Sequence, residues 1–299
     1  MVTRSKEIVA PTTVAEPSAA QGASRPIIIQ PTRGLASLQL GAVWEYRELL
    51  YFLVWRDVKV RYKQTALGVA WVILQPLISM VVFSLLFGQL LKVPSGEVPY
   101  PIFAYAALLP WNYFAASLTR SSTSLVGSAH LITKVYFPRL VIPISGVLSG
   151  LVDFAVAFLV LVGLMIYYGI APTWAVVWLP AFLLLALATA LGVGMWLSAL
   201  NVRYRDVNYL VPFLVQVWMY LTPVVYGTTL IPERFRLLLA LNPMTGVVEG
   251  FRWALLGRRL AEARAPGPLL AVSVGISLVI LVSGAIFFRS TERTFADII

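Results

Sequence analysis

Cysteine is absent from the 299 residues and histidine occurs once, at His130. Disulfides, thiolate nucleophiles and cysteine-ligated metals are thereby excluded, and one imidazole is too few ligands for a zinc site. Charge is also scarce. Asp, Glu, Lys and Arg make up 12% of the chain, where a soluble domain carries about a quarter. The phosphate loop GxxxxGKS/T, the GxSxG elbow, the HExxH pair and paired carboxylates at helical spacing are all missing. Nothing in the chain reads as catalytic.

What fills the chain instead is apolar. Hydrophobic residues account for 59%, which makes this an integral membrane protein. The net charge of +10 does not point to nucleic acid, because the basic residues sit at the ends of apolar runs and form no stripe on a soluble surface. They read as a positive-inside signature.

The chain is organised around Trp44 to Leu91, where a charged amphipathic segment runs straight into an uncharged one. Phe52, Trp55, Val58 and Tyr62 recur at helical spacing, with Arg56, Lys59 and Lys63 on a parallel stripe. Such a helix is expected to lie in the membrane surface, aromatic side in the acyl boundary and basic side near anionic headgroups. The alternative is a soluble helix on a protein core. From Ala66 to Leu91 no charge occurs, which is long enough to cross a hydrocarbon core about 30 Å thick.

Five further segments are predicted to cross. Ile102–Leu118 is one, with Pro110 expected to kink or break it; the others are a span within Val147–Tyr168, Ala175–Leu200, Val207–Tyr226 interrupted by Pro212 and Pro223, and Pro268–Phe288. That totals six, with both ends inside. Residues 1–34 are rich in Pro, Ala, Ser and Thr and read as a disordered cytoplasmic tail before a membrane domain over 35–299; Ile27–Pro31 is an extended stretch that docks locally. Between the second and third spans, Ser121–Leu140 has helix-start residues at Ser121–Ser124 and a stop at Pro138, giving a short cytoplasmic helix with Leu125, Ile132 and Val135 on one side, for a partner or for the membrane surface.

Polar residues inside the spans single out positions. Asp153 is an acid in a membrane segment, either a functional group or one paired with a neighbouring Arg or Lys at the cytoplasmic end; no second acid accompanies it in any span. Pro212, Gln216, Tyr220, Pro223 and Tyr226 share one helical face, and Gly68, Gln75, Ser79 and Phe83 form a counterpart in the first span. Faces like these are expected to avoid lipid. Between Gly227 and Gly267, an apolar middle broken at Asn242, Pro243 and Gly246 carries Glu249 and Arg252, so a re-entrant pair of half-helices on the outer side is expected rather than a full span. Its arginines, Arg234, Arg236, Arg252, Arg258, Arg259 and Arg264, conflict with the positive-inside rule. A transporter with no phosphate loop needs an ion gradient or a separate ATPase, and one intramembrane acid favours the ATPase.

Several stretches together resemble a known family: RELLYFLVWRDVKVRYKQTALGVAWVILQPL, YPIFAYAALLPWNYF, LITKVYFPRLVIPISGVLSGLVDF and LNPMTGVVEGFRWALLG. In this order and spacing, from about Ile27 to Arg289, they are similar to the membrane subunit of polysaccharide-exporting ABC transporters, which move O-antigen, capsule or teichoic acid chains. The resemblance implies an all-α inner-membrane homodimer bound to two ATPase subunits, with ATP and magnesium in those partners and no cofactor in this chain. It implies an interfacial helix holding Phe52, Trp55, Arg56, Lys59, Arg61 and Lys63, and a coupling helix with Leu125, His130, Ile132 and Lys134. It implies a channel between the first and fifth spans lined by Gln75, Ser79, Phe83, Gln216, Tyr220 and Tyr226, and outer gate helices with Pro243, Glu249 and Arg252. The cargo would be a lipid-linked polysaccharide entering from the cytoplasmic leaflet, with membrane lipids as the other partner. Two rivals differ in class. One is an exporter of a small lipid or drug, and the other a membrane-embedded glycosyl- or acyltransferase relying on Asp153 or His130.

Overall fold

A computed structural model describes residues 40–63, 68–259 and 267–295. The tail over 1–34, the Ile27–Pro31 stretch and Arg264 lie outside the described residues. The described residues are helical, in the order α1 (Leu40–Glu45), α2 (Arg47–Lys63), α3 (Gly68–Phe83, widening into a π-helical stretch over Ser84–Leu90), α4 (Tyr100–Gly127), α5 (Ala129–Lys134) and α6 (Val141–Leu148). Then follow α7 (Gly150–Tyr167), α8 (Leu179–Arg203), α9 (Val207–Leu221), α10 (Glu233–Ala240), α11 (Pro243–Leu256) and α12 (Pro268–Thr291). Four helical stretches are long and apolar enough to cross a membrane: Ala70–Leu90, Val141–Tyr167, Trp174–Arg203 and Pro268–Thr291. Helix α9 is apolar but shorter.

Helix α4 is the exception that organises the bundle. At 28 residues it is long enough to span, yet Tyr105, Trp111, Asn112 and Tyr113 make it less apolar than the four. Its burial explains how it carries them. From Ile102 to Trp111 every residue is buried, and α3, α6, α7, α8, α9 and α11 all pack on it. A helix surrounded by protein does not have to match lipid, so its polar atoms are met locally: Tyr105 Oη donates to the Ala157 carbonyl at 3.1 Å.

Two expected interruptions are absent. Helix α4 runs unbroken through Pro110, which is buried within the bundle, where neighbouring helices hold the backbone that proline weakens. Ser121–Ser124 begin no new helix but belong to the last turns of α4. The hydroxyls of Ser122, Thr123 and Ser124 turn back on their own helix, Ser122 Oγ to the Thr119 carbonyl at 2.8 Å, Thr123 Oγ1 to the same carbonyl at 3.1 Å and Ser124 Oγ to that of Ser121 at 2.7 Å. Bonded in this way, they cap nothing.

Helix α8 packs on α4 and α12 through small residues. A side chain at Gly192 would meet the Leu281 backbone at 2.8 Å, and one at Gly284 would collide with the Gly192 carbonyl. Lipid supplies no hydrophobic drive between helices, so association rests on such close approach and on interhelical bonds such as Thr189 Oγ1 to Ser277 Oγ at 3.0 Å. Gly192→Val is therefore expected to separate α8 from α12 and lower the thermal unfolding midpoint in detergent sharply. Gly163→Ala, with open space around it, should leave that midpoint where it is.

Candidate functional site

Helix α2 has two apolar sides. Its inner side is aliphatic: Leu53 is buried, with Leu49 and Leu50 beside it, in one cluster with Val141 and Ile142 of α6, and Val58 is buried further along the helix. The expected aromatic face is split by this packing. Val58 is buried while Phe52 and Trp55, with Tyr51 and with Trp44 of α1, stay exposed. Of the expected basic positions, Lys59 and Lys63 are exposed and Arg56 pairs with adjacent Asp57 at 2.8 Å.

Arg61 goes elsewhere. It donates to Oδ2 of Asp153 at the start of α7, and Arg120 near the end of α4 donates to the same oxygen at 2.8 Å. Tyr62 Oη donates to Oδ1 at 2.5 Å, and Arg61 Nη2 reaches Ser149 Oγ at 3.5 Å. One carboxylate thus joins α2, α4 and α7. Burial first, and then the hydrogen bond to Asp153, push the Tyr62 phenol up to about 12, so it stays a donor at any physiological pH. Gly150 makes room for the cluster: a Cβ there would lie 2.7 Å from Ser117 Oγ and 2.8 Å from Arg120 Nη2. Of the two readings open for Asp153, the structure has the paired one. Its partners are the single charge of α4 and a residue of α2; a lone acid in one apolar run and a lone base in another were the available signal.

A second cluster closes the corner where α9 ends. The fifth span, expected to be interrupted at Pro212 and Pro223, runs as one helix through Pro212 and stops at Leu221, so that Thr222–Tyr226 are not helical. Buried inside the protein, their carbonyls need partners there. Arg252 of α11, 2% exposed, answers them: Nη1 donates to Pro223 at 2.7 Å and Tyr226 at 3.0 Å, and Nη2 to Val224 at 2.6 Å. Tyr100 Oη takes the remaining carbonyl, Val225, at 2.5 Å. The guanidinium lies 3.7 Å above the Phe103 ring, with Glu249 Oε1 at 3.4 Å. Pro243 is buried at the start of α11. Beside it Asn242, which sequence reasoning took only as a break, accepts from Met244 N at 3.0 Å and Trp218 Nε1 at 2.8 Å and donates to Thr222 Oγ1 at 2.9 Å. It caps α11 and ties it to α9 together.

The coupling positions are divided. Leu125 and Ile132 are buried with Phe137, Val141 and Phe288, because α5 folds back on the bundle, whereas His130 and Lys134 are exposed, followed by Val135 and Tyr136. Of the apolar side expected here, Leu125 and Ile132 thus face the chain's own core and Val135 is exposed beside His130 and Lys134. The two channel stripes sit on α3 and α9, which both pack on α4. Gln75, Gln216 and Tyr220 are exposed, while Ser79 and Phe83 are half-buried, Phe83 against Phe87. Tyr226 is half-buried and donates to the Tyr220 carbonyl at 3.0 Å.

Among the described residues no group of His, Asp or Glu is placed to hold a metal, and the buried charges found here bind one another or backbone. The class this defines is a helical membrane-spanning permease body. Residues 48–256 match the family model of the ABC-2 type transporters, and the chain belongs to that family. It is 34% identical over 258 residues, 85% of this chain and 96% of the relative, to an O-antigen export system permease protein RfbA of Myxococcus xanthus. A Klebsiella pneumoniae protein of the same name is 29% identical over 254 residues, 84% of this chain and 95% of the relative. The polysialic acid transport protein KpsM of Escherichia coli is 23% identical over 245 residues, 80% and 91% of the two chains.

Removing the Arg252 fork leaves the carbonyls of Pro223, Val224 and Tyr226 unmet, at about 1–3 kcal/mol for each. Arg252→Met is expected to destabilise the chain severely in a detergent melt. Arg252→Lys, a point charge without the fork, should recover only part of the loss. An unchanged melt for Arg252→Met would contradict the role assigned to it.

Proposed function

We propose that this chain is the permease of an ATP-driven exporter that carries a lipid-linked polysaccharide of O-antigen type out of the cytoplasm. The observation that carries the reading is the likeness to O-antigen export permeases across 96% of a relative's length. On this reading α4 and α9, with its continuation through Thr222–Tyr226, join the four apolar stretches to make six spans in the inner membrane, with both ends cytoplasmic. Helices α10 and α11 are re-entrant outer gate helices, and the Arg252 corner fixes their base. The buried position of Arg252 agrees with this, because half-helices at membrane depth need protein around their polar atoms.

Two copies of the chain pair, and each binds one ATPase subunit, which holds the ATP and magnesium. The exposed faces of α3 and α9, carrying Gln75, Gln216 and Tyr220, wall the channel between copies, with Ser79, Phe83 and Tyr226 at its edge. Aromatic rings match the C–H faces of sugars, and amides match their hydroxyls, so a passing polymer is held without tight binding at any one unit. The exposed side of α5, with His130, Lys134, Val135 and Tyr136, seats in the ATPase. Helix α2 lies at the cytoplasmic surface with Phe52 and Trp55 toward lipid. Closure of the ATPases on ATP pushes α5 and rocks the two copies apart on the outer side, which requires contacts at α5 that differ between nucleotide states. Export of a small lipid or drug would use the same body. A transferase would need a free acid, and Asp153 is instead bound by Arg61, Arg120 and Tyr62.

The test is co-purification with the cognate ATPase, followed by ATP turnover with and without lipid-linked glycan. A two-plus-two complex whose turnover rises with glycan supports the proposal; a chain that binds no ATPase, or a complex indifferent to glycan, overturns it. In the same assay Tyr136→Ala with Lys134→Glu should weaken the complex while the chain still folds, whereas Leu125→Asp should cost folded protein, since it places a carboxylate in the core.

A further inference from the structure

We infer that Asp153 is a positioning residue that clasps α2 to the ends of α4 and α7, so that the surface helix and the bundle move as one body. This rests on the exporter reading for its role in transport, though not for its geometry. The α2 inner side otherwise holds the bundle through aliphatic contacts with α6, which permit sliding and rolling. The Asp153 carboxylate removes that freedom. Arg61 and Tyr62 approach it from α2 on neighbouring oxygens and Arg120 from α4, so rolling α2 breaks bonds on both oxygens at once.

The cluster is also committed to this arrangement. Arg120 Nε and Nη2 are enclosed with no acceptor among the described residues, which leaves Asp153 as the counter-charge on which its burial depends. Arg120, Asp153 and Arg61 are about three-quarters or more enclosed, with side-chain exposures of 23%, 19% and 26%, so breaking the cluster strands a guanidinium away from water. Arg120 lies about two and a half turns before α5, which begins at Ala129, with Leu125 between them in the core. A push on α5 and a push on α2 therefore meet at one carboxylate, and α7 receives them together. Such a linkage makes the stroke from the ATPase reach the bundle instead of tilting α2 alone.

The chain has no cysteine, so spin labels can be placed singly. Labels at Lys59→Cys on α2 and Val152→Cys on α7, both exposed positions, are expected to give one narrow distance distribution that is the same with ADP and with ATP on the partner. Asp153→Asn should broaden it and reduce glycan exported per ATP by about tenfold or more. Because that variant strands Arg120, the deciding one is Asp153→Asn with Arg120→Met, which removes the pair between α4 and α7 and leaves Arg61, the more exposed of the two guanidiniums, as the one remaining charge. A folded double variant with a broad distribution and poor coupling supports the clasp. A folded double variant with the native distribution and native export per ATP overturns it, as does a native distance that changes on ATP binding. If the unsubstituted chain exports no glycan, the exporter reading fails, while the distance measured on the permease alone still decides the clasp.

Discussion

A polar group buried away from water must find its partner inside the protein, and the conformation of this chain follows from how it meets that demand. Arg252 makes the clearest case. The chain leaves helical geometry after Leu221, and the carbonyls of Pro223, Val224 and Tyr226 are met by one planar fork, with Tyr100 meeting Val225. Neither half is tolerable alone: the guanidinium would be a bare charge, and the broken backbone would be unsatisfied. Together they permit an abrupt turn between α9 and α10 where a continuous helix would otherwise be required. Asn242 repeats the logic with a neutral group, capping α11 while tying it to Thr222 and Trp218.

The same demand explains why the least apolar long helix is the central one. Tyrosines, serines and an arginine on α4 would be costly against lipid, so the helix that carries them is the one with neighbours on all sides. Its tyrosines then donate to carbonyls of other segments, Tyr100 to Val225 and Tyr105 to Ala157. Polar content and central position are thus one fact seen twice.

Much of this was legible in the sequence, and the limits have physical causes. The apolar runs located the four long apolar stretches because hydropathy reports fitness for lipid, and charges in apolar runs flagged Asp153 and, with Glu249, Arg252. Periodicity fell short for α2, where it grouped Val58, which is buried, with Phe52 and Trp55, which are exposed, because it reports spacing and not which neighbours cover a position. It failed again at Leu125 and Ile132, where an apolar side that suited a partner proved to face the chain's own core. Local rules misread Ser121–Ser124 and Pro110, since buried hydroxyls bonding back to their own helix and a proline gripped by neighbours are decided by surroundings that no window of sequence contains. The pairing of Asp153 with Arg61 and Arg120 spans positions far apart in the chain, so sequence named the need for a base without naming which.

These packing differences also sort the bundle into parts that can move and parts that cannot. Helices α4, α8 and α12 approach through Gly192, Gly194 and Gly284 so closely that backbone and short side chains touch across the seams. A seam of that kind has no room for sliding, because any shift drives carbonyls into carbons. Helices α3 and α9, in contrast, each rest on α4 by one side and present long flexible residues on the other, where Leu74, Ile78, Phe213 and Val217 are exposed. Change is therefore confined to the periphery of a rigid centre. A body built this way has its freedom at its edge helices, because a shift there disturbs side-chain contacts on one face only, whereas a shift at the glycine seams would disturb backbone contacts.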